Sequence, residues 1–236
     1  MIARGGFVLI AGSFVIFLIF VIIWSFYHSS VILFLMFVSG LIFLFNMFFF
    51  RDPNRVVSDD PRAILSAADG KVVQIVEEFE PNYFQQQVRR VSIFLSIFNI
   101  HVNRVPLTGR VDYLKYIQGK FFAAFKEKAS KDNEQTEIGI LSDSGYKVMF
   151  KQIAGIIARR IICTLTEGQF VKAGQRMGLI RYGSRVDIFF PLTAKVLVSI
   201  GQKVYGGVTI IATFVDEGNE IYEEAHVGEI SLLEEI

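Results

Sequence analysis

Two apolar runs near the start of the chain constrain its fold more than any other feature. Residues 7–27 and 31–50 are almost wholly apolar. Each is about 20 residues, the length an α-helix needs to cross a bilayer. His28-Ser29-Ser30 is a short polar break between them. As a single buried helix the two runs would be far too long for a soluble domain. As a signal peptide the first run is too long, and no small-residue cleavage site precedes the break. The expectation is a two-helix transmembrane hairpin over residues 1–50. Arg4 precedes the first run, Arg51 and Arg55 follow the second, and the connecting loop has neither Lys nor Arg. The positive-inside rule then places both ends in the cytoplasm, at the cell (inner) membrane, and His28 outside.

The rest of the chain reads differently. A formal net charge of +1 argues against a nucleic-acid binder, which would carry a basic excess. The single cysteine, Cys163, permits no intramolecular disulfide and reads as a small core residue. No CxxC or Cys/His cluster is present, so no metal site is expected. Arg51-Asp52-Pro53-Asn54-Arg55 and Ser58-Asp59-Asp60-Pro61 are polar turn clusters, and residues 51–62 read as a juxtamembrane linker.

From residue 63 strand signals dominate. Short β-branched or alternating runs fall at 63–66, 71–76, 91–95, 110–117, 137–141, 147–153 and 160–165. Turn residues such as Asp69-Gly70 and Asp143-Ser144-Gly145 separate them. This predicts a mainly β domain over 63–215, a sandwich or barrel. Gly168-Gln169-Phe170-Val171-Lys172-Ala173-Gly174 and Gly201-Gln202-Lys203-Val204-Tyr205-Gly206-Gly207 share a G-Q-x-V-x-x-G pattern, each before a strand. Such a pair is what a barrel-sandwich hybrid, the fold of biotinyl and lipoyl carriers, would show. The lysine hairpin of those carriers is not found. Segment 119–133, with Phe121, Phe122 and Phe125 among lysines, reads as a short helix on the sheet or as an interfacial segment. Residues 216–236 form an acidic, partly solvated tail.

Polar candidates for chemistry are few. Asp69 stands in Ser66-Ala67-Ala68-Asp69-Gly70, where a turn aspartate is the ordinary reading. His101 lies in an apolar run, where a lone histidine is usually a satisfied core residue. Ser184 follows Gly183 between two strand-like runs. The local reading there is a two-residue hairpin. The sharper one is a self-cleavage site, at which the Ser184 hydroxyl attacks the carbonyl before it. Aspartate, histidine and serine in this order can form a triad, but triads are defined by geometry.

A specific resemblance narrows these readings. Phe50-Arg51-Asp52-Pro53, Ser66-Ala67-Ala68-Asp69-Gly70, Ile93-Phe94-Leu95-Ser96, His101-Val102-Asn103-Arg104, Gly119-Lys120-Phe121, Asn133-Glu134, Gln152-Ile153-Ala154-Gly155, Ala158-Arg159-Arg160-Ile161 and the run from Gly178 to Asp187 occur in order. In them the chain resembles the phosphatidylserine decarboxylase family, in its short membrane-hairpin form. The resemblance implies a pyruvoyl enzyme. In that family the serine of the Gly-Ser motif, here Ser184, attacks the glycine carbonyl, here Gly183, and the chain splits. A β chain of residues 1–183 and an α chain opening on the pyruvoyl group would result. The family's aspartate and histidine match Asp69 and His101. Losing carbon dioxide from an amino acid leaves a carbanion that needs an electron sink, and a protein-bound ketone can provide one. The match places His101 to protonate the carbanion.

The longer branch of the family has a second histidine where this chain has Arg104, so the resemblance leaves His101 as the one histidine for both cleavage and decarboxylation. Arg104, Arg159, Arg160 and Arg185 are the candidates for binding the substrate phosphate or carboxylate. Asn133 and Glu134 fall on a family motif without a role. The implied partners are a phospholipid in the membrane and the two chains of one proenzyme, with a homodimer as a family-level expectation. Two other readings stand beside this one: an ether-linked (archaetidylserine-type) serine lipid as substrate, and a non-catalytic membrane-tethered barrel-sandwich module.

Overall fold

The computed structural model describes residues 1–120, 133–155, 161–181 and 183–215. A short 3-10 turn, Arg4–Gly6, leads into α1 (Phe7–Tyr27), and α2 (Ser30–Phe49) runs back beside it. At 1.5 Å per residue, helices of 21 and 20 residues are about 30 Å long. Only 11% of each span is buried, so neither is the core helix of a soluble domain. His28, in the left-handed region at φ 46°, turns the chain between them.

Three polar side chains of the hairpin face inward. Ser13, Ser39 and Asn46 are buried, and Asn46 Nδ2 donates to Ser13 Oγ at 3.2 Å. Such a bond between helices has no competing water in a bilayer. At the open end the entering and leaving chains pair: Ala3 N–H donates to Phe50 O at 2.8 Å and Asp52 N–H to Met1 O at 2.8 Å.

The β-rich part contains β1 (Ala63–Leu65), β2 (Gly70–Glu80), β3 (Gln86–Leu95), β4 (Val102–Arg104), β5 (Gly109–Ile117), β6 (Gln135–Leu141) and β7 (Lys147–Ala154). It continues with β8 (Ile161–Cys163), β9 (Phe170–Val171), β10 (Arg176–Ile180), β11 (Ser184–Pro191), β12 (Lys195–Val196), β13 (Lys203–Val204) and β14 (Ile210–Thr213). An eight-stranded antiparallel sheet has the order β13-β2-β3-β11-β7-β6-β5-β9. Two small sheets, β1-β14-β12 and β4-β10-β8, complete it. Val72, Ile93, Phe150, Val186, Ile188 and Phe190 lie in the main core. The β2–β3 hairpin runs well past the expected strands, because ion pairs cross it: Glu77 with Arg89 at 2.6 Å and Glu78 with Arg90 at 3.0 Å.

The two G-Q-x-V-x-x-G segments supply β13 and β9, the two edges of the large sheet, and they sit in matched surroundings. Val72 N–H donates to Gln202 O and Val111 N–H to Gln169 O, both at 2.9 Å. Gly207 N–H donates to Ser66 O, as Gly174 N–H does to Val105 O. Both glycines have φ near the left-handed value, 73° and 74°, which an L side chain resists. Across the middle, Leu65 N–H bonds Pro106 O and Arg104 N–H bonds Ala67 O. The domain is therefore built on a pseudo-twofold, as the paired segments predict for a barrel-sandwich type.

One expectation is corrected. The run through Gly183-Ser184 is not a hairpin: β10 pairs with β4 and β8, whereas β11 pairs with β3 and β7. The chain changes sheets there, and Ser184 is the first residue of the central strand β11. Most of segment 119–133 (121–132) and the tail 216–236 lie outside the described residues.

Candidate active site

Pairing places the site. Val102 of β4 lies opposite Leu179 of β10, so His101 sits beside the chain as it leaves β10. Ser184 lies between Leu95 of β3 and Ala154 of β7. The β3–β4 connection then runs from Ser184's neighbour, Leu95, directly to His101.

Gly183 adopts φ +79°, where glycine alone is unstrained. Its N–H donates to His101 Nε2 at 3.2 Å. On the other side of the ring, Nδ1 lies 2.9 Å from Asn99 O. A carbonyl only accepts, so Nδ1 carries the proton and the Nε2 lone pair faces the Gly183 turn. The ring is 2% exposed, and its pKa is lowered to about 4. Burial is the largest cause; the bond to Asn99 opposes it, and the Arg51 cation adds to it. His101 is thus a neutral base at physiological pH. Ser184 is fully buried and its Oγ has no hydrogen-bond partner. A buried hydroxyl without a partner is costly and stays free to react.

Phe49, the last residue of α2, covers the histidine: the ring centroids are 4.2 Å apart at 32°. Phe49 and Phe50 pack with Ala3, Val102 and Leu179 in a second core that joins the hairpin to the small sheet β4-β10-β8. The span therefore ends against the candidate site.

Asp69 does not bond His101. One oxygen accepts from Gly206 N–H at 2.8 Å, and the other pairs with Arg55 at 2.8 Å. Thr108 occupies the pseudo-twofold position, its Oγ1 accepting from Ala173 N–H at 3.0 Å. Asp69 thus caps a turn as Thr108 does, and adds a charge that Thr108 lacks. That charge is felt by Arg51, whose field also reaches His101.

The arginines separate clearly. Arg104 donates to Asp52 at 3.0 Å, Pro53 O at 2.8 Å and Gly174 O at 3.0 Å, tying the segment after α2 to the β-rich domain. Arg185 is buried, bonded to Asp187 at 2.6 Å and Ser92 at 2.7 Å. Side chains alternate along a strand, so it lies on the opposite face of β11 from Ser184. Arg159 and Arg160 lie outside the described residues. Asn133 Nδ2 donates to Ala154 O at 2.7 Å, which steadies the neighbour of Ser184. Sequence reasoning missed Phe49, Asn99, Arg51 and Arg55 as parts of this site. Their proximity to the Phe50-Arg51-Asp52-Pro53 and His101 motifs was the only signal for them.

A neutral histidine at a buried Gly-Ser junction, beside the end of a long apolar helix, is an arrangement suited to acid–base chemistry. Comparison with known proteins sharpens that class. The family model described as phosphatidylserine decarboxylase matches residues 42–212. A phosphatidylserine decarboxylase proenzyme of Desulfotalea psychrophila is 42% identical over 181 residues, covering 77% of this chain and 85% of that protein. Proenzymes of the same name from Carboxydothermus hydrogenoformans and Rickettsia akari are 47% and 48% identical, covering 80% and 74% of their lengths. The chain belongs to the phosphatidylserine decarboxylase family, and it is a decarboxylase with two N-terminal helices suited to a membrane.

Proposed function

We propose that this chain is a proenzyme that cuts itself between Gly183 and Ser184 and then decarboxylates phosphatidylserine to phosphatidylethanolamine at the membrane surface. The observation that carries the reading is the buried, unpartnered Ser184 Oγ at a glycine turn whose N–H meets His101 Nε2. His101 takes the Ser184 proton as Oγ attacks the Gly183 carbonyl and returns it to the Ser184 nitrogen as the C–N bond breaks, so the amide becomes an ester. A base then removes the Ser184 Cα proton as the Cβ–Oγ bond breaks, which releases Gly183 as a carboxylate and leaves dehydroalanine. Water enters and ammonia leaves, giving a pyruvoyl group at the head of β11. Asp69, through the Arg55 and Arg51 cations, offsets positive charge as His101 becomes an imidazolium.

The residues fit such a group. Its position is buried between β3 and β7, out of bulk water, and His101 is at hand to return a proton. When present, the pyruvoyl group supplies the electron sink for loss of carbon dioxide. His101 then delivers the proton to the substrate carbon. The hairpin holds this chemistry where headgroups are, with the β-rich domain on the cytoplasmic side of the cell membrane. Two chains from one proenzyme, assembled as a homodimer, are part of the same proposal.

Intact mass, with and without borohydride reduction, tests it. Two chains that part after Gly183, the shorter one blocked and gaining two hydrogens on reduction, are expected. Ser184→Ala should remain one chain. A wild-type chain that stays whole in membranes would overturn the mechanism and leave a tethered barrel-sandwich module.

A further inference from the structure

The β3–β4 connection that carries His101 has an unusual tip. Ser96 to Asn99 is a tight turn: Asn99 N–H donates to Ser96 O, and Ser96 N–H and Oγ both donate to Asn99 Oδ1, at 2.7–2.9 Å. Its central residues are Ile97 and Phe98, where turns ordinarily place Gly, Pro, Asn or Asp. Phe98 is 66% exposed. The turn is stiff, so this exposure is built in and does not arise from a loose loop.

Its height relative to the spans is set by one side chain. Arg51 donates from Nη2 to Phe98 O and from Nη1 to Phe48 O, both at 2.7 Å. The same guanidinium lies 3.9 Å from the Phe48 ring centroid. Phe48 belongs to the last turn of α2 and is itself 44% exposed on a helix that faces lipid. One guanidinium therefore touches a span-end ring and the tip's carbonyl. Next to Phe98, Ile100 packs into the cluster of Phe49 and Phe50, continuous with the spans.

We propose that the Ile97–Phe98 tip is seated in the phospholipid interface beside α2, where aromatic rings partition favourably and arginines hold the headgroup level. It rests on the reading of α1 and α2 as membrane spans. The consequence is mechanical. Asn99 O, one residue past the tip, holds His101 Nδ1, so the histidine is tied to a turn anchored in lipid. The tip then holds the site at the headgroup layer, within reach of a serine phospholipid that stays in the bilayer.

The test uses tryptophan fluorescence of the full chain in phosphatidylcholine vesicles. Trp24 is the only tryptophan, so Trp24→Phe with Phe98→Trp gives a single reporter at the tip. Expected are blue-shifted emission, loss of iodide quenching, and stronger quenching by lipid spin-labelled near the headgroup than near the chain end. Unmodified protein, with Trp24 in α1, tests the spans independently of activity. Lipid quenching of Trp24 without quenching at position 98 would overturn the tip and keep the spans. Absence of both would overturn the spans and the tip together. Shielding from iodide without lipid quenching would mean that protein, such as a second copy, covers the tip, and also overturns the proposal. A nitroxide on Phe98→Cys in a Cys163→Ser background repeats the depth measurement should the tryptophan variant misfold.

Discussion

The ring of Phe49, the last residue of the second apolar helix, lies 4.2 Å from that of His101, the only base at the Gly183–Ser184 junction among the described residues. The anchor is therefore a wall of the site as well as a tether. It removes water from the imidazole, which is the main reason the ring stays neutral.

Processing should consequently keep its full rate well below the ordinary histidine range, with an acid inflection near pH 4. Phe49→Ala readmits water and should move that inflection up toward 6.5. Following the fraction of uncut chain against pH in detergent-extracted wild type and variant checks this. A wild-type inflection at 6.5 or above would show that Phe49 does not do what its position implies.

The same depression has a stability consequence. The folded pKa lies below the unfolded value of 6.5, so between about pH 6.5 and 4 the unfolded chain takes up a proton that the folded one refuses. Stability from this group is complete above 6.5 and lost by about 4, a total of roughly 3 kcal/mol. His101→Gln should lack that part of the acid sensitivity. Denaturant midpoints of His101→Gln and an uncut Ser184→Ala control, measured from pH 7 to 4, report the difference.

Asp69 and Thr108 hold equivalent turns, so paired variants separate capping from charge. Thr108→Val should cost about 1 kcal/mol of stability and leave cleavage intact. Asp69→Asn keeps an acceptor for Gly206 but leaves Arg55 and Arg51 uncompensated near the developing imidazolium. Cleavage should slow by about 100-fold or more. Equal cleavage rates in the two variants would reduce Asp69 to a turn residue.

Asp52 joins Arg104 and Arg176 where the chain leaves α2. Asp52→Ala leaves the Arg104 guanidinium buried without its carboxylate, which should cost about 3–5 kcal/mol. Arg104→Met together with Asp52→Ala should recover much of that loss. Thermal unfolding of the uncut Ser184→Ala form is the measurement. Recovery of stability there, with normal decarboxylation when the same two substitutions are made in the chain that keeps Ser184, would mark Arg104 as a structural tie and exclude it as a substrate ligand.

Much of this architecture was legible in one dimension. Two spans follow from runs of about 20 apolar residues, since a bilayer of fixed thickness asks for that length. The paired G-Q-x-V-x-x-G segments pointed to a barrel-sandwich type, and the structure puts them at the two sheet edges, each with a glycine in the same left-handed conformation. The outer half of the β2–β3 hairpin was not legible. Its strand character rests on Glu77 meeting Arg89 and Glu78 meeting Arg90, and a single strand's pattern does not record its partner. Nor could the run through Gly183 and Ser184 show that it passes between sheets, since local turn chemistry is the same for a hairpin. The sequence by itself determined the two long apolar helices, the β-rich class and the family, and it singled out Gly183, Ser184 and His101 as candidates. Only the tertiary structure decided that His101 Nε2 meets Gly183, that Phe49 covers the ring, and that Arg104 and Arg185 are held by internal carboxylates. These are contacts between residues far apart in the chain, set by strand register and by where the hairpin docks, and no local periodicity encodes them.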